Sequence, residues 1–124
     1  MTHLPLTPEV LAAAYDYLAS TEPFVRWNLP DSDDITFRVV KSRKMFAQYV
    51  WEPDTERHTI EVSSGTVGHT ATLMATMAHE LTHLHLRLTD MESKSSNPNV
   101  HNLPFRKLAA QACKIHGWDL KAFY

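Results

Sequence analysis

The sequence predicts an α+β fold, because the spacing of its apolar residues changes from a helical to a strand period and back again. Within Thr70–Leu88, which contains no glycine or proline, leucine and methionine recur at steps of three and four residues. Between Ile35 and Ser64, apolar residues instead alternate with polar ones. Together these patterns predict a small sheet with helices before and after it.

An N-terminal helix is predicted from its first turn. Thr7 suits the N-cap, Pro8 the first helical position, and the charge of Glu9 complements the positive end of the helix. We expect this helix to end near Ala19. Its inward face comprises four apolar residues: Val10, Leu11, Ala14 and Leu18.

Three strands are predicted, at Ile35–Val40, Phe46–Trp51 and Thr59–Ser63, since each is rich in β-branched and aromatic residues. Turn-forming residues separate them, at 42–44 and 53–56. Because both connections are short, we expect consecutive strands to pair in a three-stranded antiparallel meander.

A polar stretch, Thr89–Asn102, follows the central helix and predicts a surface loop. A last helix is expected to begin around Leu103–Pro104 and to end at Gly117. Beyond it, Trp118, Leu120 and Phe123 are expected to pack the tail against the core.

The composition narrows the class of protein. A chain of 124 residues has the size of one domain, and a formal net charge of −2 does not predict the basic surface of a protein that binds phosphate backbones. A local basic patch that binds phosphate is the alternative, because four basic residues cluster in one segment. This segment is more simply interpreted as a solvated hairpin: Arg38, Lys41, Arg43 and Lys44.

Only one cysteine is present, Cys113, which excludes an internal disulfide and a cysteine zinc ribbon. Pro5, Pro8 and Glu9 interrupt any signal-like run near the N-terminus, and no stretch has the length of apolar sequence that a membrane span requires. We therefore expect a cytoplasmic protein without a membrane partner.

The segment His79-Glu80-Leu81-Thr82-His83 predicts a metal site. Residues four apart lie on the same face of a helix, so the imidazoles of His79 and His83 can bind one ion, and zinc is the metal typical of this pattern. Glu80, next along the helix, is close enough to accept a proton from a zinc-bound water without being a ligand. Since the chain contains eight histidines, surface or capping histidines are the alternative.

A catalytic zinc site usually has a third protein ligand. Leu86 and Thr89 exclude the metzincin pattern, which requires glycine and histidine at these positions. His101 is the best candidate because it directly precedes the last helix, which can bring it back across the site. The alternatives are less favourable: His85 faces another side of its helix, Asp90 and Glu92 lie in the polar loop, and His116 lies near a helix end.

These motifs resemble those of the SprT-like metallopeptidases, the family that includes the Spartan proteases. The similarity covers roughly residues 35–118 and comprises the 79–83 motif, His101 before the Pro104–Phe105 helix start, and the stretch 115–118. Where the family commonly has glycine after the third histidine, this chain has Asn102. The resemblance implies a zincin-like fold, zinc bound by three ligands, and a catalytic base: His79, His83 and His101 as the ligands, and Glu80 as the base.

The resemblance therefore implies a zinc-dependent endopeptidase that acts on protein or peptide substrates, with at most weak or indirect DNA association. We expect the chain to be the bare protease domain, since no zinc ribbon or DNA-binding region is recognisable. Two alternatives remain: a catalytically silent zinc-binding or DNA-associated interaction module, and a zinc hydrolase with a non-peptide substrate. His69, His116 and Tyr49 are candidates for stabilising an oxyanion.

Overall fold

The computed structural model describes residues 5–67, 70–93 and 101–123. Its elements, in chain order, are helix α1 (Pro8–Ala19), strands β1 (Ile35–Val40), β2 (Ala47–Glu52) and β3 (Arg57–Ser63), and helices α2 (Thr70–Leu88), α3 (Leu103–His116) and α4 (Leu120–Phe123). The predicted α+β class is confirmed. The predicted loop between α2 and α3 lies partly outside the described residues.

The helix ends agree with the sequence prediction because local side-chain chemistry determines them. The Thr7 hydroxyl accepts a hydrogen bond from the Val10 amide (3.1 Å) at the start of α1. At the other end of the chain, α3 ends at Gly117, whose φ of 77° lies in the left-handed region that glycine adopts at low cost.

The sheet is mixed, so the prediction of an antiparallel meander is wrong. Strand β3 lies in the centre, in the order β1-β3-β2. It pairs in parallel with β1 and antiparallel with β2. The strands do alternate in direction along the chain, but β1 and β2 each pair with β3 and not with one another.

The connector between β1 and β2, residues 41–46, explains the difference, because it crosses the end of β3. The Ser42 amide donates to the Ser63 hydroxyl (2.9 Å), and the Ser63 amide donates to the Phe46 carbonyl oxygen (2.8 Å). A side chain at Gly65 would also place its Cβ only 2.6 Å from the Ser42 carbonyl oxygen. These contacts between distant parts of the chain hold the connector across the end of β3. A tight hairpin at this position would instead have paired β1 with β2.

Helix α2 lies at the centre of the domain and packs against α1, α3 and the sheet. Its apolar stripe is buried as predicted from Leu73 to Leu84, but Leu88 is 46% exposed, so the last turn of the helix emerges from the core. Even α2, with 19 residues, lacks the apolar character needed to cross a membrane, as does every other helix in the described ranges.

Candidate metal centre

The structure brings together all three histidines that the sequence singles out as ligands. His79 and His83 lie one turn apart on α2, with ring centroids 5.0 Å apart. The ring of His101, which precedes α3, lies 4.8 Å from that of His79 and 5.4 Å from that of His83. One ligand nitrogen from each of the three lies within 4.8 Å of the other two.

This set of donors fits zinc. Nitrogens at about 2.0–2.1 Å from a tetrahedral ion are roughly 3.4 Å apart, so small side-chain rotations bring the three imidazoles to that spacing. Three protein ligands leave a fourth position open, which is the arrangement of catalytic and not of structural zinc sites.

His79 is held in the tautomer that metal binding requires. Its Nδ1 lies 2.7 Å from the Phe123 carbonyl oxygen. Because a carbonyl can only accept, Nδ1 carries the proton and Nε2 keeps its lone pair. Burial, and secondarily the neighbouring His83, lowers the pKa of His79 to about 3. The imidazole is therefore neutral at pH 7, as a ligand must be.

His83 has a partner that the sequence did not identify. Its Nδ1 lies 2.8 Å from Oε2 of Glu92, and the two side chains are only 9% and 13% exposed. Glu92 is thus neither solvated nor a member of the ligand cluster; it contacts a ligand. The one signal in the sequence is an acidic residue in the polar loop, which is too common to predict such a contact.

His101 is positioned by the first turn of α3. Asn102 caps this helix, since its Oδ1 accepts from the Phe105 amide (3.0 Å), and its Nδ2 donates to the Met91 carbonyl oxygen (3.0 Å). Asn102 thus anchors the chain next to His101, the third candidate ligand. At this position the SprT-like family commonly has glycine. Burial is the main cause that lowers the pKa of His101, followed by the charge of His83.

The buried ring of Phe105 packs against all three histidines. Its centroid lies 4.9 Å from that of His79, 4.6 Å from that of His83 and 4.4 Å from that of His101. Since the ring is fully buried, it cannot move away without disturbing the core. Phe105 therefore helps to hold the three imidazoles near one another through packing contacts, in addition to the hydrogen bonds of His79 and His83.

Glu80 lies next to His79 on α2 and is only 3% exposed. Burial raises the pKa of its carboxyl group to about 7, a shift that His83 opposes and Glu92 adds to. A carboxyl group with a pKa near the working pH is well suited to accept and return a proton.

The other histidines considered from the sequence do not join the cluster. His85 stacks on Trp27 (centroids 4.4 Å apart), on another side of α2 as predicted. His116 donates from Nε2 to the Glu22 carbonyl oxygen (2.7 Å), which ties α3 to the segment after α1. His69 lies outside the described residues.

Tyr49 lies on β2, the strand that packs against α2. Its hydroxyl is 2.7 Å from Nδ1 of His58, and the charges of Arg87 and Glu92 act on it. Burial is the main cause that raises the pKa of Tyr49, so the hydroxyl keeps its proton at neutral pH.

No protein-family model matches the chain, and neither a curated protein nor a solved structure matches it. The functional interpretation therefore depends on the geometry of the site and on the motifs in the sequence.

Proposed function

We propose that this chain is a zinc hydrolase. More particularly, we propose that it is an endopeptidase of the SprT-like type, with zinc bound by His79, His83 and His101. The observation that carries the proposal is the convergence of three imidazoles beside a buried carboxyl group, Glu80, whose pKa of about 7 suits a general base.

A bound zinc ion would lower the pKa of a water molecule to about 7 and polarise the substrate carbonyl group. In the proposed reaction Glu80 accepts a proton from the attacking water and passes it to the amine that leaves. The Nδ1 atoms of His79 and His83 are hydrogen-bonded, to Phe123 and to Glu92, which would leave their Nε2 atoms free to hold the ion. Of the two described oxyanion candidates, His116 is engaged by the Glu22 carbonyl oxygen, whereas the hydroxyl of Tyr49 keeps its proton and contacts His58.

The sheet offers a place for an extended peptide. In the order β1-β3-β2 the two edge strands are β1 and β2, and β2 packs against α2, the helix that carries the metal ligands. We propose that a substrate strand adds to β2, because main-chain hydrogen bonds at a sheet edge bind peptides of varied sequence.

A catalytically silent zinc-binding module is the second candidate. Burying an ionisable carboxyl group is costly, and a purely structural site has no need of a base, so Glu80 favours the enzyme. Association with DNA is proposed only as weak or indirect, since the net charge is −2.

The test is a comparison of Glu80→Gln with Glu9→Gln, a matched change at an exposed carboxylate on α1. Zinc-loaded proteins are incubated with casein and with a DNA-bound protein, and self-cleavage is followed with and without DNA. We expect Glu80→Gln to keep its zinc and lose nearly all cleavage, while Glu9→Gln behaves as the wild type. Equal cleavage by both variants, or no cleavage by the wild type, contradicts the peptidase.

A further inference from the structure

We propose that Glu92 is a positioning residue of the metal centre: its carboxylate holds His83 with the proton on Nδ1 and thereby turns Nε2 towards the ion. The proposal rests on the metal site of the proposed function but not on the nature of the substrate. It concerns a residue that the sequence indicates only as an alternative third ligand.

Both oxygens of the Glu92 carboxylate are engaged. Oε2 is 2.8 Å from Nδ1 of His83, and Oε1 accepts from the Ser93 amide (3.1 Å). A carboxylate with both oxygens held in this way is oriented towards the outer nitrogen of the ligand. Glu92 is therefore a partner of a metal ligand and not itself the ligand.

Residues 89–93, here called the strap, include Glu92 and are held by two hydrogen bonds of the Met91 backbone. The strap turns away from α2 at Asp90, whose φ of 58° lies in the left-handed region. The Met91 amide then donates to the Leu86 carbonyl oxygen on α2 (2.8 Å), and the Met91 carbonyl oxygen accepts from Asn102 (3.0 Å). The strap thus joins the helix that carries His83 to the residue that follows His101.

A carboxylate on the outer nitrogen affects a histidine ligand in two ways. It selects the tautomer and fixes the orientation of the ring, and it makes the inner nitrogen more basic. Loss of such a partner typically weakens metal binding by about 10–100-fold without removing a ligand. We expect Glu92 to have both effects on His83, because the two side chains are largely shielded from solvent.

The experiment compares Glu92→Ala and Glu92→Gln with Asp54→Ala and Asp54→Asn. The Asp54 variants remove the same charge from the exposed turn between β2 and β3. The zinc Kd of each protein is measured by competition with a chelator. The tautomer of His83 is measured in the metal-free proteins at pH 8 from the ¹⁵N chemical shifts of the imidazole.

We expect Glu92→Ala to raise the zinc Kd about 10–100-fold and to shift metal-free His83 towards the Nε2–H tautomer. Glu92→Gln keeps an acceptor for Nδ1–H, so it should retain the tautomer and lose less affinity, and both Asp54 variants should match the wild type. Wild-type His83 in the Nε2–H form, or equal zinc affinity in Glu92→Ala and Asp54→Ala, overturns the proposal. If the wild type shows the Nδ1–H tautomer but binds no zinc, the proposed function fails, while the control of His83 by Glu92 stands.

Discussion

The imidazole ring of His101 lies 4.8 Å, centroid to centroid, from that of His79, although His79 lies on α2 and His101 in the segment that precedes α3. The proximity arises because α3 packs against α2 and because Phe105, in the first turn of α3, contacts both rings. A third candidate ligand is thereby brought to the pair on α2.

His101→Ala should lower zinc affinity by several orders of magnitude, because two protein ligands then remain where a catalytic site has three. His85→Ala is the matched control, since it removes an imidazole from another side of α2 where it stacks on Trp27. Chelator competition measures both. Tight zinc binding by His101→Ala would remove His101 from the ligand set.

Phe105→Ala should destabilise the metal-free protein by about 3–5 kcal/mol, the usual effect of deleting a buried aromatic ring. It should also weaken zinc binding, because the three imidazoles lose the ring that packs against them. Phe105→Leu fills more of the space and should recover much of the stability but less of the affinity. Urea unfolding with chelator, and zinc titration at a temperature where both variants are folded, separate the two effects. If zinc affinity follows stability alone, Phe105 has no specific role in arranging the ligands.

Glu80→Gln should stabilise the metal-free protein more at pH 8 than at pH 5. The folded-state pKa of Glu80 is raised to about 7 from 4.5, so the folded protein holds a proton that the unfolded chain releases within this range. The stability contributed by Glu80 is therefore present below about pH 4.5 and is lost as the pH rises to about 7. The lowered pKa of His79 acts in the opposite direction, with stability lost as the pH falls below 6.5.

The effect of His79 is present in both proteins, so it cancels in the difference between Glu80→Gln and the wild type. That difference in unfolding free energy, measured in chelator, should grow with pH by an amount on the order of a few kcal/mol. A difference that does not change between pH 5 and 8 would show that Glu80 titrates normally.

The bound metal should dissociate below roughly pH 5, because imidazoles bind zinc only when unprotonated. Dialysis at stepped pH followed by metal analysis measures the midpoint, and return to pH 7 with added zinc should restore full loading. Zinc that remains bound well below the lowered pKa of His79, about 3, would indicate ligands other than three histidines.

The helices could be predicted because their determinants are local. Thr7, Asn102 and Gly117 lie at the ends of the helices that they limit, and the buried stripe of α2 follows from the spacing of its leucines. The strands were located to within about two residues for the same reason. Their order was not predictable, because it depends on contacts such as that of Ser42 with Ser63, which no short-range pattern encodes.

In the candidate site, too, the residues set by local spacing could be predicted, and the contacts that depend on the folded chain could not. His79, Glu80 and His83 follow from the spacing in one helix, and His101 from its place before the next. The contact of Glu92 with His83 and that of the Phe123 carbonyl group with His79 were missed, although Glu92 was considered as an alternative ligand. Glu92 is an ordinary acidic residue until the strap folds back on α2, and the Phe123 carbonyl oxygen is a backbone atom that any residue would supply.

Whether the histidine cluster binds zinc is decided by the metal content of freshly purified protein, measured by elemental analysis of the wild type and of a His79→Ala/His83→Ala double variant. We expect about one zinc per wild-type chain and none in the double variant. A wild type without metal, or a double variant that retains its zinc, would contradict the proposed zinc site.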